Sequence, residues 1–203
     1  MKLVFASNNA HKLAEVRHIL SQVEVVSLRD VGFLQEIDET GQTLEENSRL
    51  KAMTIWQWLI LHDMDREYNG VFADDTGLEI EALGGAPGVY SARWAGEPSN
   101  DANNRAKALQ MLSDSPNRAA QFRTVITLIS HEQDLQVEGV VKGQIATVES
   151  GEQGFGYDSL FIPEGHDCTF AMLSAEAKNA ISHRGNALRI FAEKLKEFYN
   201  ADK

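Results

Sequence analysis

The chain has 203 residues, of which 43% are hydrophobic and 24% charged, and its formal net charge is -11 at pH 7. We predict a single domain over residues 1–203, since length and composition are ordinary for one globular domain. The negative charge disfavours binding to nucleic acid, which depends on Lys and Arg neutralising phosphates. A small anion such as a triphosphate can still bind where a few cations or a metal are concentrated in one cleft.

Apolar runs in this sequence are short. The longest one, residues 55–61, is interrupted by Gln57, and the four apolar residues at 3–6 are too few for the core of a signal peptide. We therefore expect a cytoplasmic protein with no membrane partner.

The N-terminal part of the chain has the pattern of a strand, a helix and a second strand. Residues 2–6 are apolar, residues 10–20 carry apolar side chains at helical spacing, and residues 23–27 resemble a strand again. This order predicts an α/β unit with a right-handed crossover. The segment between strand and helix could cap the helix or hold ligand phosphates at its N-terminus. It comprises Ser7, Asn8, Asn9, Ala10, His11 and Lys12.

An acidic segment precedes the next predicted helix. Asp38 and Glu39 lie in it and could supply a metal ligand, although acidic loops are common on a protein this negative. Residues 43–46, Thr-Leu-Glu-Glu, have the form of a capping box, which predicts a long helix to about Asp63. We expect the two tryptophans of this helix to be packing residues.

A second acidic pair, Asp74 and Asp75, follows the apolar residues 70–73. We predict a short strand that stops at this pair, before a turn at Gly77. Two adjacent carboxylates at a strand end can hold a hard cation such as Mg²⁺ or activate a water, because a cation relieves the repulsion between them. A plain acidic turn is the alternative.

The remaining elements complete the predicted fold. Residues 84–93 are rich in Gly and Pro and predict a bend that acts as scaffold, while residues 100–112 and 183–199 predict amphipathic helices. Residues 122–130 and 135–145 predict a β-hairpin, which requires a mixed sheet. The predicted class is α/β, an elongated mixed sheet flanked by helices, with two lobes and a central cleft.

The last third of the chain carries a glycine-rich segment and a group of cations. Residues 151–158 place three glycines around Phe155, so the backbone can approach a ligand and the ring can stack on a planar base. Lys178, His183 and Arg184 follow, and their side chains suit phosphate oxygens. Together the segments suggest a nucleotide site, whereas each alone could be a turn or a solvated helix start.

Six segments, taken together, resemble one family: the inosine/xanthosine triphosphate pyrophosphatases, which cleanse the pool of non-standard purine nucleotides. In chain order they are SNNAHK, DETGQTLEENSRLKA, ADDTGL, LGGAPGVYSAR, GFGYD and EAKNAISHRGNAL, between residues 7 and 188. The resemblance implies a Mg²⁺-dependent hydrolase that cleaves ITP, dITP or XTP to the monophosphate and pyrophosphate, without indicating a preference among them. It also implies a homodimer.

The resemblance further implies roles for individual residues. Asp75 matches the water-activating base, supported by Asp74, and Asp75 with Glu39 would hold Mg²⁺, with Asp38 as the alternative to Glu39. The implied substrate-binding residues are Ser7, Asn8, Asn9, Ala10, His11, Lys12, Lys51, Thr76, Phe155, Gly156, Tyr157, Asp158, Lys178, His183 and Arg184.

This chain departs from the family pattern at three positions. Ser7 stands where Thr is more frequent and Thr76 where Ser is more usual, and both changes keep a hydroxyl group. Ser159 replaces the proline that commonly follows Asp158, a change expected to alter a loop more than the chemistry.

Two alternative functions stay open on the sequence. The chain could be a pyrophosphatase of similar fold for modified pyrimidine or methylated nucleotides, or a nucleotide-sensing module that binds without turnover. The carboxylates of Asp74, Asp75 and Glu39 argue against the second alternative, because binding an anion requires no acidic residues.

Overall fold

The fold consists of helices around one mixed sheet, in a computed structural model that describes residues 1–198 in full and residues 199 and 200 by their backbone. Within this part of the chain the α-helices are α1 (Ala10–Ile19), α2 (Leu44–Leu61), α3 (Asp101–Met111), α4 (Ala175–Ile181) and α5 (His183–Asn200). The strands are β1 (Lys2–Phe5), β2 (Glu24–Ser27), β3 (Val71–Ile80), β4 (Pro87–Gly88), β5 (Ala119–Ile129), β6 (Asp134–Ile145) and β7 (Phe161–Pro163). The predicted α/β class is confirmed.

The sheet has the strand order β2-β1-β3-β5-β6-β7, and β4 lies beside β3. β1 pairs in parallel with both β2 and β3, whereas β4 is antiparallel to β3 and β7 is antiparallel to β6. β1, α1 and β2 thus form the predicted α/β unit, and β5 and β6 are the strands of the predicted hairpin. The carboxyl end of β1 leads into α1, the place where ligands bind in open α/β sheets.

The chain divides into two compact units, each assembled from separate stretches. The first comprises Met1–Asp75, Thr124–Gly139 and the chain from Ala187 onward, and the second comprises Thr76–Arg123 and Val140–Asn186. The single domain over residues 1–203 stays a prediction, as does the cleft between two lobes.

Alternate residues of β1 bring different helices into the core of the first unit. Val4 packs in a cluster with the buried side of α2, where Ile55 and Trp56 lie. Leu3 and Phe5 pack instead with apolar residues of α1 and α5. Because consecutive strand residues point to opposite faces, α2 covers one face of the sheet and α1 and α5 cover the other. Each side chain buried in this way contributes about 1.5–3 kcal/mol.

The second unit has its own aromatic core. The ring of Phe161 lies between Phe122 and Phe170, with centroid distances of 4.8 Å and 5.2 Å. Apolar residues of β3 and α3 complete this cluster, among them Leu78 and Leu112. Tyr157 belongs to the same cluster, so the core anchors one end of the glycine-rich segment.

Strand β3 extends through the acidic pair, so the prediction of a strand that stops there is wrong. Asp74, Asp75 and Gly77 lie inside the strand, although Asp and Gly are unfavourable in strands. The place of β3 between β1 and β5 in the sheet overrides this preference, and the antiparallel pairing of Leu78 and Glu79 with β4 requires a glycine beside it, at position 77. A Cβ atom on Gly77 would lie 2.6 Å from the carbonyl oxygen of Gly88. The acidic pair is therefore held by a strand and not by a turn.

Across the described residues, every helix falls short of the length or the apolar character that a membrane span requires.

Candidate active site

The segment between β1 and α1 is organised by its own polar side chains. Asn9 is the N-cap of α1, and its Oδ1 accepts a hydrogen bond from the backbone N–H of Lys12 at 3.1 Å. The hydroxyl oxygen of Ser7 accepts one from the N–H of Asn9 at 3.2 Å. Ser7 is half-buried. The four residues that follow it are exposed to solvent, namely Asn8, Asn9, Ala10 and His11. The predicted phosphate loop is thus a capped and accessible helix N-terminus.

Lys12 extends from α1 to the acidic pair on β3. Its Nζ donates to Asp74 Oδ1 at 2.9 Å, and Asp74 is almost completely buried. A buried carboxylate of this kind requires a compensating cation. Asp74 therefore positions the Lys12 ammonium group, and its supporting role beside Asp75 stays a prediction.

Lys51, on α2, bridges two carboxylates. Its Nζ donates to Glu39 Oε1 at 2.6 Å and to Asp75 Oδ1 at 2.8 Å, and both Lys51 and Asp75 are buried. Asp38 is exposed. Of the two candidate metal ligands before α2, Glu39 is therefore the one that faces Asp75 across the ammonium group.

Burial and charge act in opposite directions on this pair. Burial raises the pKa of the Asp75 carboxyl above its ordinary value, although the ammonium groups of Lys51 and Lys12 oppose the shift. Burial also works to lower the pKa of Lys51, but the carboxylates of Asp75 and Glu39 outweigh it and raise that pKa. Lys51 thus remains charged, while Asp75 holds a proton more readily than a free aspartic acid.

The side-chain oxygens near Asp75 fit a divalent cation that takes its other ligands from a substrate. The second carboxylate oxygen of Asp75, Oδ2, is buried and has no hydrogen-bond partner among the described residues. Those residues contain no group of three or more His, Cys, Asp or Glu side chains arranged around a metal. Mg²⁺ is commonly held by one or two carboxylates together with waters and substrate phosphates. Asp75 and Glu39 are residues of the kind it requires.

Asn47 supports this group and was not predicted from the sequence. The side chain of Asn47 lies on α2, one turn before Lys51, and is fully buried. Its Oδ1 accepts a hydrogen bond from the N–H of Gly41 at 2.7 Å, in the loop that carries Glu39. A Cβ atom on Gly41 would lie 2.6 Å from that same oxygen. The signal in the sequence was a polar residue on the buried face of a helix.

In the second unit, two cations lie close to the aromatic ring of Phe155. Lys178 Nζ is 4.9 Å from the ring centroid, and the guanidinium carbon of Arg184 is 5.7 Å from it. Lys178 Nζ also donates to Asp158 Oδ2 at 2.8 Å, and the same oxygen accepts from the N–H of Phe155 at 2.9 Å. Asp158 thus holds both the Lys178 ammonium group and the backbone of Phe155 in place.

His183 and Arg184 begin α5, and both are buried. The His183 ring stacks on Phe122, with centroids 4.6 Å apart and an interplanar angle of 19°. Arg184 Nη2 lies 3.4 Å from the hydroxyl oxygen of Thr76. The structure therefore groups Thr76, Arg184 and Phe155, which are distant in sequence.

Tyr157 connects the glycine-rich segment to the segment predicted as scaffold. Its hydroxyl donates to the carbonyl oxygen of Ser91 at 2.9 Å, and burial raises the pKa of Tyr157. The Ser91 hydroxyl in turn donates to the Gly88 carbonyl at 2.6 Å and accepts from the N–H of Leu78 at 2.9 Å. These contacts give Tyr157 an internal structural role, and its predicted contact with substrate stays a prediction.

A cavity of about 920 Å³ in the second unit lies among other residues. Its lining includes Gln121, Lys142 and His166 and contains none of the predicted site residues of the described chain. The predicted site is thus not this cavity.

An α/β fold that supplies lysine–carboxylate pairs and an aromatic ring close to two cations is typical of an enzyme that binds nucleotides. The chain belongs to the Ham1 family, whose model matches residues 3–194. It is 50% identical over 189 residues to a dITP/XTP pyrophosphatase of Porphyromonas gingivalis, covering 92% of this chain and 93% of that protein. A dITP/XTP pyrophosphatase of Flavobacterium johnsoniae is 46% identical over 191 residues, covering 93% of this chain and 95% of that protein.

Solved structures agree with the fold. A HAM1 protein from Coxiella burnetii has a TM-score of 0.83 at 38% identity, covering 97% of this chain and 99% of that chain. The Ham1 protein of Staphylococcus aureus has a TM-score of 0.82, also at 38% identity and with the same coverage. The family resemblance drawn from six segments is therefore confirmed over nearly the whole chain.

Proposed function

We propose that this protein hydrolyses non-standard purine nucleoside triphosphates, namely dITP, XTP and ITP, to the monophosphate and pyrophosphate. The observation that carries the proposal is the Lys51 ammonium group between Asp75 and Glu39, with Lys12 on the neighbouring Asp74. Relatives that match more than nine-tenths of the chain are named dITP/XTP pyrophosphatases.

In this reaction the oxygen of a water attacks the α-phosphorus, and the bond to the bridging oxygen of the pyrophosphate breaks. Asp75 accepts the proton of the water, a role for which a raised pKa is favourable as long as the carboxyl is ionised. Lys12 and Lys51 stabilise the negative charge that develops on the phosphates. Mg²⁺, held by Asp75 and Glu39, would neutralise further phosphate charge when bound.

The second group of residues accounts for the choice of base. Phe155 stacks on the purine, and donors of His183, Arg184 or the backbone bind the 6-keto oxygen of hypoxanthine or xanthine. Adenine presents an amino group there and leaves a donor unpaired. An unpaired buried donor costs about 1–3 kcal/mol, which corresponds to roughly ten- to hundredfold discrimination.

The proposal is tested by measuring pyrophosphate release from ITP, dITP, XTP, GTP, ATP and dUTP by the purified protein with Mg²⁺. We expect kcat/KM for the first three to exceed that for ATP, whose base lacks the 6-keto oxygen. Equal rates for ATP, or a preference for dUTP, would contradict the proposed substrate class. Nucleotide binding without pyrophosphate release would indicate a sensing module instead.

We also propose that activity requires Mg²⁺ and that the protein acts in the cytoplasm as a homodimer. The carboxylate pair and the family resemblance support the metal requirement, and the resemblance also supports the homodimer. The short apolar runs of the sequence support the cytoplasmic location. Ile60 and Leu61, at the end of the tryptophan-bearing α2, are 45% and 79% exposed and offer apolar surface for a second subunit. Light scattering during size-exclusion chromatography measures the assembly, and full activity in excess chelator would exclude the metal requirement.

A further inference from the structure

One helix binds both backbone polar groups of Gly156 in the glycine-rich segment. Asp101 Oδ2 accepts from the N–H of Gly156 at 2.9 Å, and Arg105 Nη1 donates to its carbonyl oxygen at 2.9 Å. Asp101 and Arg105 are one turn apart on α3, so their side chains lie on the same side of the helix. Gly156 has a φ of +61°, a conformation that other residues rarely adopt.

The same arginine is linked to the base of the segment. Arg105 Nε donates to Glu149 Oε2 at 2.7 Å, and that oxygen also accepts from the Ser159 hydroxyl at 2.9 Å. Glu149 and Ser159 flank residues 151–158 on either side. Ser159 is the position at which this chain departs from the common proline, and a proline has no hydroxyl group to donate.

These contacts restrain a segment whose glycines allow many backbone conformations. Gly151, Gly154 and Gly156 all have positive φ, and glycines leave the backbone many alternative conformations. Phe155, the proposed stacking ring, lies between the last two of them. A ring on an unrestrained segment would have to be ordered at each binding event, which lowers affinity.

We propose that Asp101, Arg105 and Ser159 are positioning residues that hold Phe155 ready for the purine base. This inference rests on the proposed function of the site. These three residues act through Gly156 and Glu149, so they determine how tightly the nucleotide binds more than how fast it is cleaved.

The experiment compares Asp101→Ala, Arg105→Met and Ser159→Ala with Lys107→Met as a matched control. Lys107 is also a cation of α3, but its Nζ donates to the Trp94 carbonyl at 2.6 Å. We expect Asp101→Ala and Arg105→Met to raise KM for ITP about tenfold, since charge-assisted bonds are lost, with kcat within about twofold. Ser159→Ala should have a smaller effect, and Asp101→Asn, which keeps an oxygen acceptor, should recover most of the wild-type KM.

Unchanged KM in both Asp101→Ala and Arg105→Met would overturn the proposal. So would a loss of kcat at constant KM, or an equal change in Lys107→Met, because either result indicates a general structural effect of α3.

Hydrogen exchange separates this inference from the proposed function. In the substrate-free protein, the Gly156 amide should exchange about tenfold faster in Asp101→Ala than in wild type. In Lys107→Met the exchange rate of this amide should equal that of wild type. Equal exchange in wild type and Asp101→Ala would refute the restraint even in an active enzyme. A wild-type protein that releases no pyrophosphate from ITP would refute the function and leave the exchange result intact.

Discussion

Two adjacent aspartates on β3 have different surroundings and different roles. Asp74 is compensated by Lys12, whereas Asp75 shares Lys51 with Glu39 and keeps one buried oxygen without a partner among the described residues. Neighbouring strand residues point to opposite faces, and each of the two carboxylates hydrogen-bonds to a different ammonium group. Asp75 combines a raised pKa with this buried oxygen, and it is therefore the residue to change first.

Asp75→Asn should reduce pyrophosphate release by at least about a hundredfold, because an amide cannot accept the proton of the attacking water. The fold should survive. A raised carboxyl pKa means that the ionised form is disfavoured in the folded protein, and that its stabilising contribution is lost as pH rises through that pKa. Near neutral pH the amide therefore replaces a disfavoured charge, and thermal unfolding should show an unchanged or higher midpoint.

The control for this change is Asp38→Asn, since Asp38 is an exposed acid of the same region. It should leave turnover and the unfolding midpoint as in wild type. Retention of more than about a tenth of wild-type turnover by Asp75→Asn would exclude Asp75 as the base.

The pH dependence of turnover follows from the same carboxyl. Because its pKa is raised above 3.8, Asp75 stays protonated at pH values where a free aspartic acid is ionised. We expect kcat/KM to fall as pH decreases through the raised pKa and to approach a plateau above it. In Lys51→Met the opposing ammonium group is absent, so the acid limb should move to higher pH. The measurement is a pH–rate profile of both proteins. If the acid limb lies at the same pH in both, Asp75 is not the group that titrates.

Phe155 and Arg184 should differ in the kind of defect they produce. Stacking on Phe155 contributes roughly 1–3 kcal/mol to the binding of any base, so Phe155→Ala should weaken the binding of ITP and of ATP about equally. Arg184→Ala should lower kcat/KM for ITP more than kcat/KM for ATP, so the difference between the two values becomes smaller. The measurement is kcat/KM for both nucleotides with each variant. Equal losses in Arg184→Ala would assign Arg184 to the phosphates or to structure.

At the scale of elements, the loop before α2 packs closely against that helix at Gly41. Gly41→Ala would place a Cβ atom 2.6 Å from Asn47 Oδ1 and 2.7 Å from Glu46 Cβ, so the loop must move and Glu39 with it. We expect a higher Mg²⁺ concentration for half-maximal activity and an unfolding free energy lower by about 1–3 kcal/mol. Magnesium titration and denaturant unfolding measure the two effects.

Gln42→Ala is the matched control, since Gln42 is an exposed residue of the same loop. If Gly41→Ala and Gln42→Ala have the same Mg²⁺ dependence, the position of the loop does not determine metal affinity.

Elements differ in how well local patterns predict them. Helices α1, α2, α3 and α5 begin and end within two residues of the predicted bounds, because caps and apolar spacing are encoded within a few residues. Helix α4 has seven residues, too few to show a periodicity, and it was not predicted. The predicted β3 was too short, because the place of this strand between β1 and β5 in the sheet outweighs the low strand propensity of Asp and Gly.

At the scale of the whole molecule, the predicted site residues are distributed over both compact units. The first unit holds the acidic residues with Lys12 and Lys51, and the second holds Thr76, Phe155 and the cations around that ring. β3 supplies residues to both units, since Asp75 ends a stretch of the first and Thr76 begins a stretch of the second. Family membership extends over residues 3–194 and includes both groups.

The sequence by itself determined the α/β class, four of the helices, the hairpin and the family, because these depend on local spacing or on motifs in a fixed order. Tertiary structure alone decided which charges meet. Lys51 lies 12 residues from Glu39 and 24 from Asp75, and Arg105 lies 51 from Gly156. Contacts at such separations depend on how strands pair and helices pack, and no local pattern encodes them.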